Sequence, residues 1–160
     1  MLITTEKLIK ASPAKVRQAL LDFGKHPDWN PFFKSIAVSS AVDVADSADY
    51  AAASVPAPGA TLQITIAPVN RGEQVIKPTV LVNTAELFKW RGILLVGFLF
   101  AGEHAFEFKA EAGPGGEEYT RFVHSENFSG VLVPLLGGIL ADTKASFILL
   151  NDALADYVEA

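Results

Sequence analysis

Two hydrophobic periods alternate along the chain, and the points where one replaces the other mark its elements. Leu2, Ile3, Thr4, Thr5 and Ile9 supply aliphatic and β-branched residues for a first strand over 2–10. Ser12 then offers an N-cap and Pro13 a first helical position. Val16, Ala19, Leu20 and Phe23 follow at helical spacing until Gly24 ends the run. In His26-Pro27-Asp28-Trp29-Asn30-Pro31 the prolines forbid a long helix, and Pro31 pushes Asn30 out of αR. That segment reads as a tight turn presenting Trp29, with His26 at the surface.

A strand over 32–40 comes next. Residues 41–59, rich in Ala, Ser, Asp and Pro, keep no period and read as a loop or a poorly formed strand. Leu62, Ile64 and Ile66 alternate with Gln63 and Thr65, the mark of a strand buried on one face. Strands over 75–82 and 85–90, tightly joined near Asn83, precede a long hairpin of 98–109 and 118–128 turning at Gly113-Pro114-Gly115-Gly116. From Gly130 the chain changes to period 3.6. Leu132, Leu135, Leu136, Ile139, Leu140, Thr143, Phe147, Leu150, Leu154 and Val158 predict one long helix, bent at Gly137-Gly138. Strands in series followed by a long helix predict an α+β fold, a meander sheet with one face covered by that helix.

Strand parity assigns the faces. Phe98, Phe100, Gly102, His104, Phe106 and Phe108 point one way and Glu103, Glu107 and Lys109 the other, so the aromatic side is the inner one. Phe122, His124, Glu126 and Phe128 share the inner face of the partner strand, and a slip of one residue would turn them outward. A turn centred near Pro114 sets His104 across from His124, with Glu126 two residues further along; Phe88 and Trp90 continue the wall on the neighbouring strand.

Composition narrows the partners. A length of 160 residues suits one domain spanning 1–160, and 50% hydrophobic against 19% charged residues excludes intrinsic disorder. Eleven Phe, two Trp and three Tyr are enough for a dense core or for the walls of an apolar pocket. The net charge of -5, with Lys and Arg scattered singly, argues against nucleic acid. With no Cys, disulfides, thiolate catalysis and Cys-based metal sites are excluded. The first residues lack the pattern of a signal peptide, and no apolar run reaches the ~20 residues of a membrane span, so a cytoplasmic protein without a transmembrane segment is expected. No Gly-x-Ser-x-Gly, Gly-x-Gly-x-x-Gly, Walker or His-Glu-x-x-His pattern occurs.

Several short motifs fall in an order that resembles the START-like, or SRPBCC, superfamily, and within it the polyketide cyclase/dehydrase-like group. They are Ser12-Pro13-Ala14-Lys15-Val16, Asp28-Trp29-Asn30-Pro31-Phe32, Leu87-Phe88-Lys89-Trp90-Arg91-Gly92, Gly102-Glu103-His104-Ala105-Phe106, Ser125-Glu126-Asn127-Phe128-Ser129-Gly130 and Asn151-Asp152-Ala153-Leu154. The chain departs from the usual pattern in the longer Ala-rich segment 41–59. The resemblance implies a helix-grip fold, a curved antiparallel sheet wrapped around the C-terminal helix, and a cavity for a lipid, sterol, polyketide or other apolar molecule. It does not imply one reaction, because carriers, cyclases, hydrolytic ring subunits and co-chaperones share such folds.

On composition alone a solid core would be preferred; the resemblance favours a cavity. Its expected lining is Trp29, Phe32, Phe88, Trp90, Phe98, Phe100, His104, Phe106, Phe122, His124, Glu126, Phe128, Leu136, Leu140 and Phe147. A binding protein for a small hydrophobic molecule is the first reading. A cyclase- or dehydratase-like enzyme using His104, His124 and Glu126 as acid and base is the second. A protein-interaction or co-chaperone-like module using an apolar lip at 92–98 is the third, and a transient membrane contact there or a homodimer stays open. Structural or ligand-orienting roles for the three polar residues outweigh catalysis, since a buried cluster often only satisfies itself and Glu126 could favour the N-terminus of the last helix. Burial and mutual pairing act oppositely on such groups, so perturbed titration without a net direction is expected. Two His and one carboxylate match an iron triad in composition only, so no metal and no cofactor are expected.

Overall fold

A computed structural model describes residues 1–40, 56–93, 100–135 and 137–160. Strand β1 (Leu2–Ile9) leads into helix α1 (Pro13–Leu21), a 3-10 turn (Phe23–Lys25) and the short helix α2 (His26–Trp29). Then come β2 (Phe33–Ser40), β3 (Thr61–Ile66), β4 (Gln74–Ile76), β5 (Thr79–Asn83), β6 (Leu87–Ile93), β7 (Ala101–Ala112), β8 (Glu118–Ser129), a second 3-10 turn (Val133–Leu135) and helix α3 (Gly137–Glu159). The sheet is antiparallel in the order β1-β8-β7-β6-β5-β3-β2, with β4 beside β3. It curls around α3, whose 23 residues extend for about 34 Å at 1.5 Å per residue. This is the helix-grip architecture.

Local chemistry sets the boundaries. The Ser12 hydroxyl caps α1 by accepting from the Lys15 N–H, and Pro13 fills the first turn, where no intrahelical donor is needed. The strand expected over 75–82 is split in two at Lys77-Pro78, because Pro78 has no N–H to give a ladder; its carbonyl still accepts from Leu62. The long helix starts at Gly137 and not at Gly130. Pro134 would break the hydrogen-bond ladder of a helix running through it, and the chain makes a 3-10 turn there instead. Gly137 and Gly138 are therefore the entry to the helix, not a bend within it, and Leu135, expected on its apolar face, is 79% exposed. Residues 41–55 of the Ala-rich segment lie outside the described residues.

His26 is not at the surface: it is fully buried. The prolines do not exclude one helical turn, because Pro27 sits in the first turn of α2. That turn points the imidazole inward, between Phe23 and Phe33. Its Nε2 donates to the Leu20 carbonyl at 2.6 Å and its Nδ1 accepts from Asn30 Nδ2 at 3.1 Å. Asn30 Oδ1 in turn accepts from the N–H groups of Phe32 and Phe33, each at 2.9 Å, which launches β2.

The core lies between the inner face of the sheet and the stripe Leu140, Phe147, Leu150, Leu154 and Val158 of α3. Parity holds along the hairpin. Phe106, Phe108 and Phe122 are buried, while Lys89–Glu103 and Arg121–Glu111 ion pairs lie on the outer face. Replacing Phe147, which is fully buried among aromatic rings, by Ala should cost about 3–5 kcal/mol in urea unfolding, whereas Ala at Ile148, 46% exposed on the same helix, should change stability by less than about 0.5 kcal/mol.

Candidate functional site

Sheet and helix touch at one end and separate at the other. At the touching end Phe147 lies flat on His124 with ring centroids 3.7 Å apart, and also meets His104 at 4.9 Å and Phe32 at 5.9 Å. One helical turn and more toward the N-terminus of α3, Thr143 and Ile139 face a cavity of about 540 Å³. The opposite wall is Trp90 of β6, Phe100 just before β7 and Phe128 of β8, with Phe100 stacked on Phe128 at 5.4 Å and 8°. Phe32 and Ile66 close one side. Arg71, Gln74, Val75 and Lys77, all exposed, rim the mouth, where Arg71 is tied to Asp142 of α3 at 2.9 Å.

The space has a simple origin. Gly92 and Gly102 are cross-strand partners on the inner face of β6 and β7, at the positions that follow Trp90 and precede His104 in the same parity. Two missing side chains side by side leave a recess in an otherwise aromatic wall. A Cβ at Gly92 would meet nothing within 4 Å, whereas one at Gly102 would overlap Glu126 Oε1.

The cavity gathers part of the expected lining. Phe32, Trp90, Phe100, Glu126 and Phe128 border it. Phe88, His104, Phe106, Phe122, His124, Leu140 and Phe147 do not: they interlock in the packed half of the interior, all at most 9% exposed. From Phe147 onward α3 packs directly on the inner face of the sheet and fills the gap there, while Leu140 is buried in the core cluster without bordering the cavity. Trp29 is elsewhere, stacked on Tyr157 near the C-terminal end of α3 with its indole N–H buried and unpaired. Phe98 and Leu136 lie outside the described residues, as does most of the expected lip, residues 94–98. Ile66, Arg71, Gly92 and Ile139 also line it and are absent from the expected set; Ile66 and Ile139 carry an inward signal in their periodicity and Gly92 in its strand parity, whereas exposed Arg71 carries none.

The polar residues form a line leading into this wall. The register sets His104 opposite Glu126, and His124 opposite Phe106, because the hairpin pivots one residue later than Pro114 suggested. His104 and His124 are diagonal neighbours, yet their Nε2 atoms come within 2.6 Å. Asn151 of α3 places its Oδ1 2.9 Å from His124 Nδ1, and its Nδ2 donates to Thr5 Oγ1 at 2.9 Å. At the other end His104 Nδ1 faces Glu126 Oε2 at 3.5 Å. Glu126 thus serves His104 and not the N-terminus of the last helix, which begins well down the chain. Asn151, absent from the expected set, completes this polar line; a lone amide in the stripe of Phe147, Leu150 and Leu154 is its signal in the sequence. Among the described residues no group of His, Asp and Glu is arranged to hold a metal ion.

Titration of two buried imidazoles, His124 and His26, has a direction. Burial holds His124 well below its ordinary 6.5, and the neighbouring His104 pushes the same way, against hydrogen bonds from Asn151 and the Phe147 backbone. Burial also lowers His26, opposed by its bond to Leu20 and by Asp22. A base with a lower pKa in the folded chain takes up its proton more readily on unfolding. The stabilisation is complete above about pH 6.5 and is lost as pH falls below it, at up to ~1.4 kcal/mol per pH unit for each histidine. Urea midpoints measured from about pH 7.5 down to about pH 5.5 should therefore fall with unchanged m-value; a flat profile would contradict the neutral, buried state of both rings.

Comparison with known proteins agrees with this architecture. The aromatase/cyclase Zhui from a Streptomyces species superposes with a TM-score of 0.71 at 9% identity, covering 99% of this chain and 93% of that one. A START superfamily protein from Mycobacterium smegmatis gives 0.66 at 17% identity, with 99% and 97% covered. At such identities the likeness is one of fold. No curated protein sequence matches the chain. The profile of the family described as polyketide cyclase / dehydrase and lipid transport matches residues 2–159, and the chain belongs to that family.

Proposed function

We propose that the cavity between the sheet and α3 binds a small hydrophobic molecule, of the lipid, polyketide or aromatic class. The observation that carries this reading is the recess at Gly92 and Gly102, framed by Trp90, Phe100 and Phe128 and roofed by Ile139 and Thr143. An apolar hollow of this size is unfavourable to leave empty and offers water few partners. Family membership supports the same reading, since its description joins cyclases with lipid transport.

An acid–base enzyme is the second reading, favoured by one observation: Glu126, backed by His104, lies in the cavity wall. The packed position of His124 and His104 behind that wall makes them supports for Glu126 and not groups that touch a guest.

A lipid or aromatic compound that fits should raise stability by ~2.7 kcal/mol at about 100 times its dissociation constant, read as a shift in thermal unfolding and as retained mass in native mass spectrometry. Gly92→Phe, which projects into open space, should keep the fold and abolish the shift. Stabilisation of that variant equal to the native chain's would place the guest elsewhere. For the enzymatic reading, Glu126→Gln should cut turnover of a bound candidate substrate at least about 100-fold with little change in its affinity; unchanged turnover would dismiss it.

A further inference from the structure

The hydrogen bonds between β1 and the cavity wall dictate where each proton sits. Thr5 donates its hydroxyl to the His124 carbonyl at 3.3 Å, so it must accept from Asn151, which presents Nδ2 to it at 2.9 Å. Asn151 therefore turns Oδ1 to His124 Nδ1. An amide oxygen only accepts, so the His124 proton is on Nδ1. Complete burial keeps that ring neutral, which leaves its Nε2 bare to accept from His104 Nε2 at 2.6 Å. His104 thus spends its Nε2 proton on His124, and its remaining nitrogen, Nδ1, faces Glu126 Oε2 at 3.5 Å in a site where the side chains are 5% and 18% exposed. With no proton between them, two sets of lone pairs would confront each other away from water; one proton converts the contact into a charge-assisted attraction.

We propose that the His104–Glu126 pair carries one proton, held on one partner or the other across the 3.5 Å ion-pair contact, and that Glu126 Oε1 is the polar anchor for an apolar ligand that brings a hydrogen-bond donor, a hydroxyl above all. This deepens the binding function proposed above and rests on it. Whichever partner holds that proton, it lies on the Nδ1–Oε2 side. Oε1 is then a carboxylate oxygen in one placement and the carbonyl oxygen of a carboxylic acid in the other, and it accepts in both. It occupies the place that a side chain at Gly102 would take, and both residues line the cavity. Among the described residues no group donates to it. A ligand ether, ketone or carboxylate offers that oxygen only lone pairs, while a hydroxyl completes its hydrogen bonding. The pair is neutral overall in either placement, so it holds no net charge to attract an anionic guest; of the two cations that line the cavity, Arg71 is engaged by Asp142 and Lys77 is exposed at the mouth.

The test uses the full chain and three probes on one skeleton, 2-naphthol, 2-methoxynaphthalene and 2-naphthoate, titrated by calorimetry near pH 7. The native chain should bind 2-naphthol at least about ten-fold more tightly than either of the others. Glu126→Gln should keep that preference, because its amide donates to His104 Nδ1 and still turns an oxygen to the cavity, while Glu126→Leu should remove it. Equal affinity of the native chain for all three, or a preference surviving in Glu126→Leu, overturns the anchor and leaves the apolar cavity standing. Failure of every probe to bind the native chain overturns both readings. Long-range ¹H–¹⁵N correlation spectra of the native protein give an answer that does not depend on how the variants fold. His124 should appear as the Nδ1–H tautomer with His104 protonated at Nε2, and an Nε2–H tautomer at His124 would overturn the proton order.

Discussion

Phe147 lying flat on His124 is the point at which the terminal helix is clamped to the sheet. Rings in close parallel contact exclude water and fix the distance between the two layers, and with Leu150 and Leu154 fully buried behind them the C-terminal half of α3 has no room to lift. The N-terminal half has no comparable contact. There α3 presents Thr143 and Ile139 to a stretch of sheet whose inner face carries two adjacent glycines, and a cavity is the consequence. A tight end and an open end on one helix accompany a change in side-chain size along the same wall.

The same clamp explains why polar residues are tolerated in the aromatic interior. A buried imidazole is costly unless every nitrogen has a partner, and each of the three histidines meets that condition in its own way. His26 is held by Leu20 and Asn30 and starts β2. His124 is held between Asn151 and His104, and His104 between His124 and Glu126. The second arrangement passes from an outer strand, β1, through the terminal helix to the cavity wall. It crosses the layers beside the Phe147–His124 stack, so the orientation of Glu126 depends on the clamp as the core does.

Corrections to the expected placement of elements share one cause. Prolines and glycines were read for what they forbid, and the structure uses what they still allow. Pro27 opens a helical turn that buries His26; Pro78 interrupts a strand while its carbonyl continues to pair; Pro134 and the glycines after it postpone the last helix to Gly137. The hairpin turn, displaced by one residue from Pro114, moved Glu126 opposite His104 and His124 opposite Phe106 without altering which face any of them occupies. Parity survives such a shift by two residues, and this is why the inner aromatic face was legible even though its cross-strand pairs were not.

The order of elements, the inward face of each strand of the hairpin and the apolar stripe of the last helix were all set by the sequence alone, because they follow from periods of 2 and 3.6 that any stable packing must respect. The family resemblance lay in the same ordered segments. Which inward residues touch one another and which border empty space was decided only by tertiary structure. Phe106 and Phe128 have the same parity and the same chemistry, yet one is enclosed in the core and the other faces the cavity. The difference depends on how closely α3 approaches each, and on the pairing of Gly92 with Gly102 across two strands. Neither is a property of a local window of sequence: both arise from sums of side-chain volumes contributed by segments far apart in the chain.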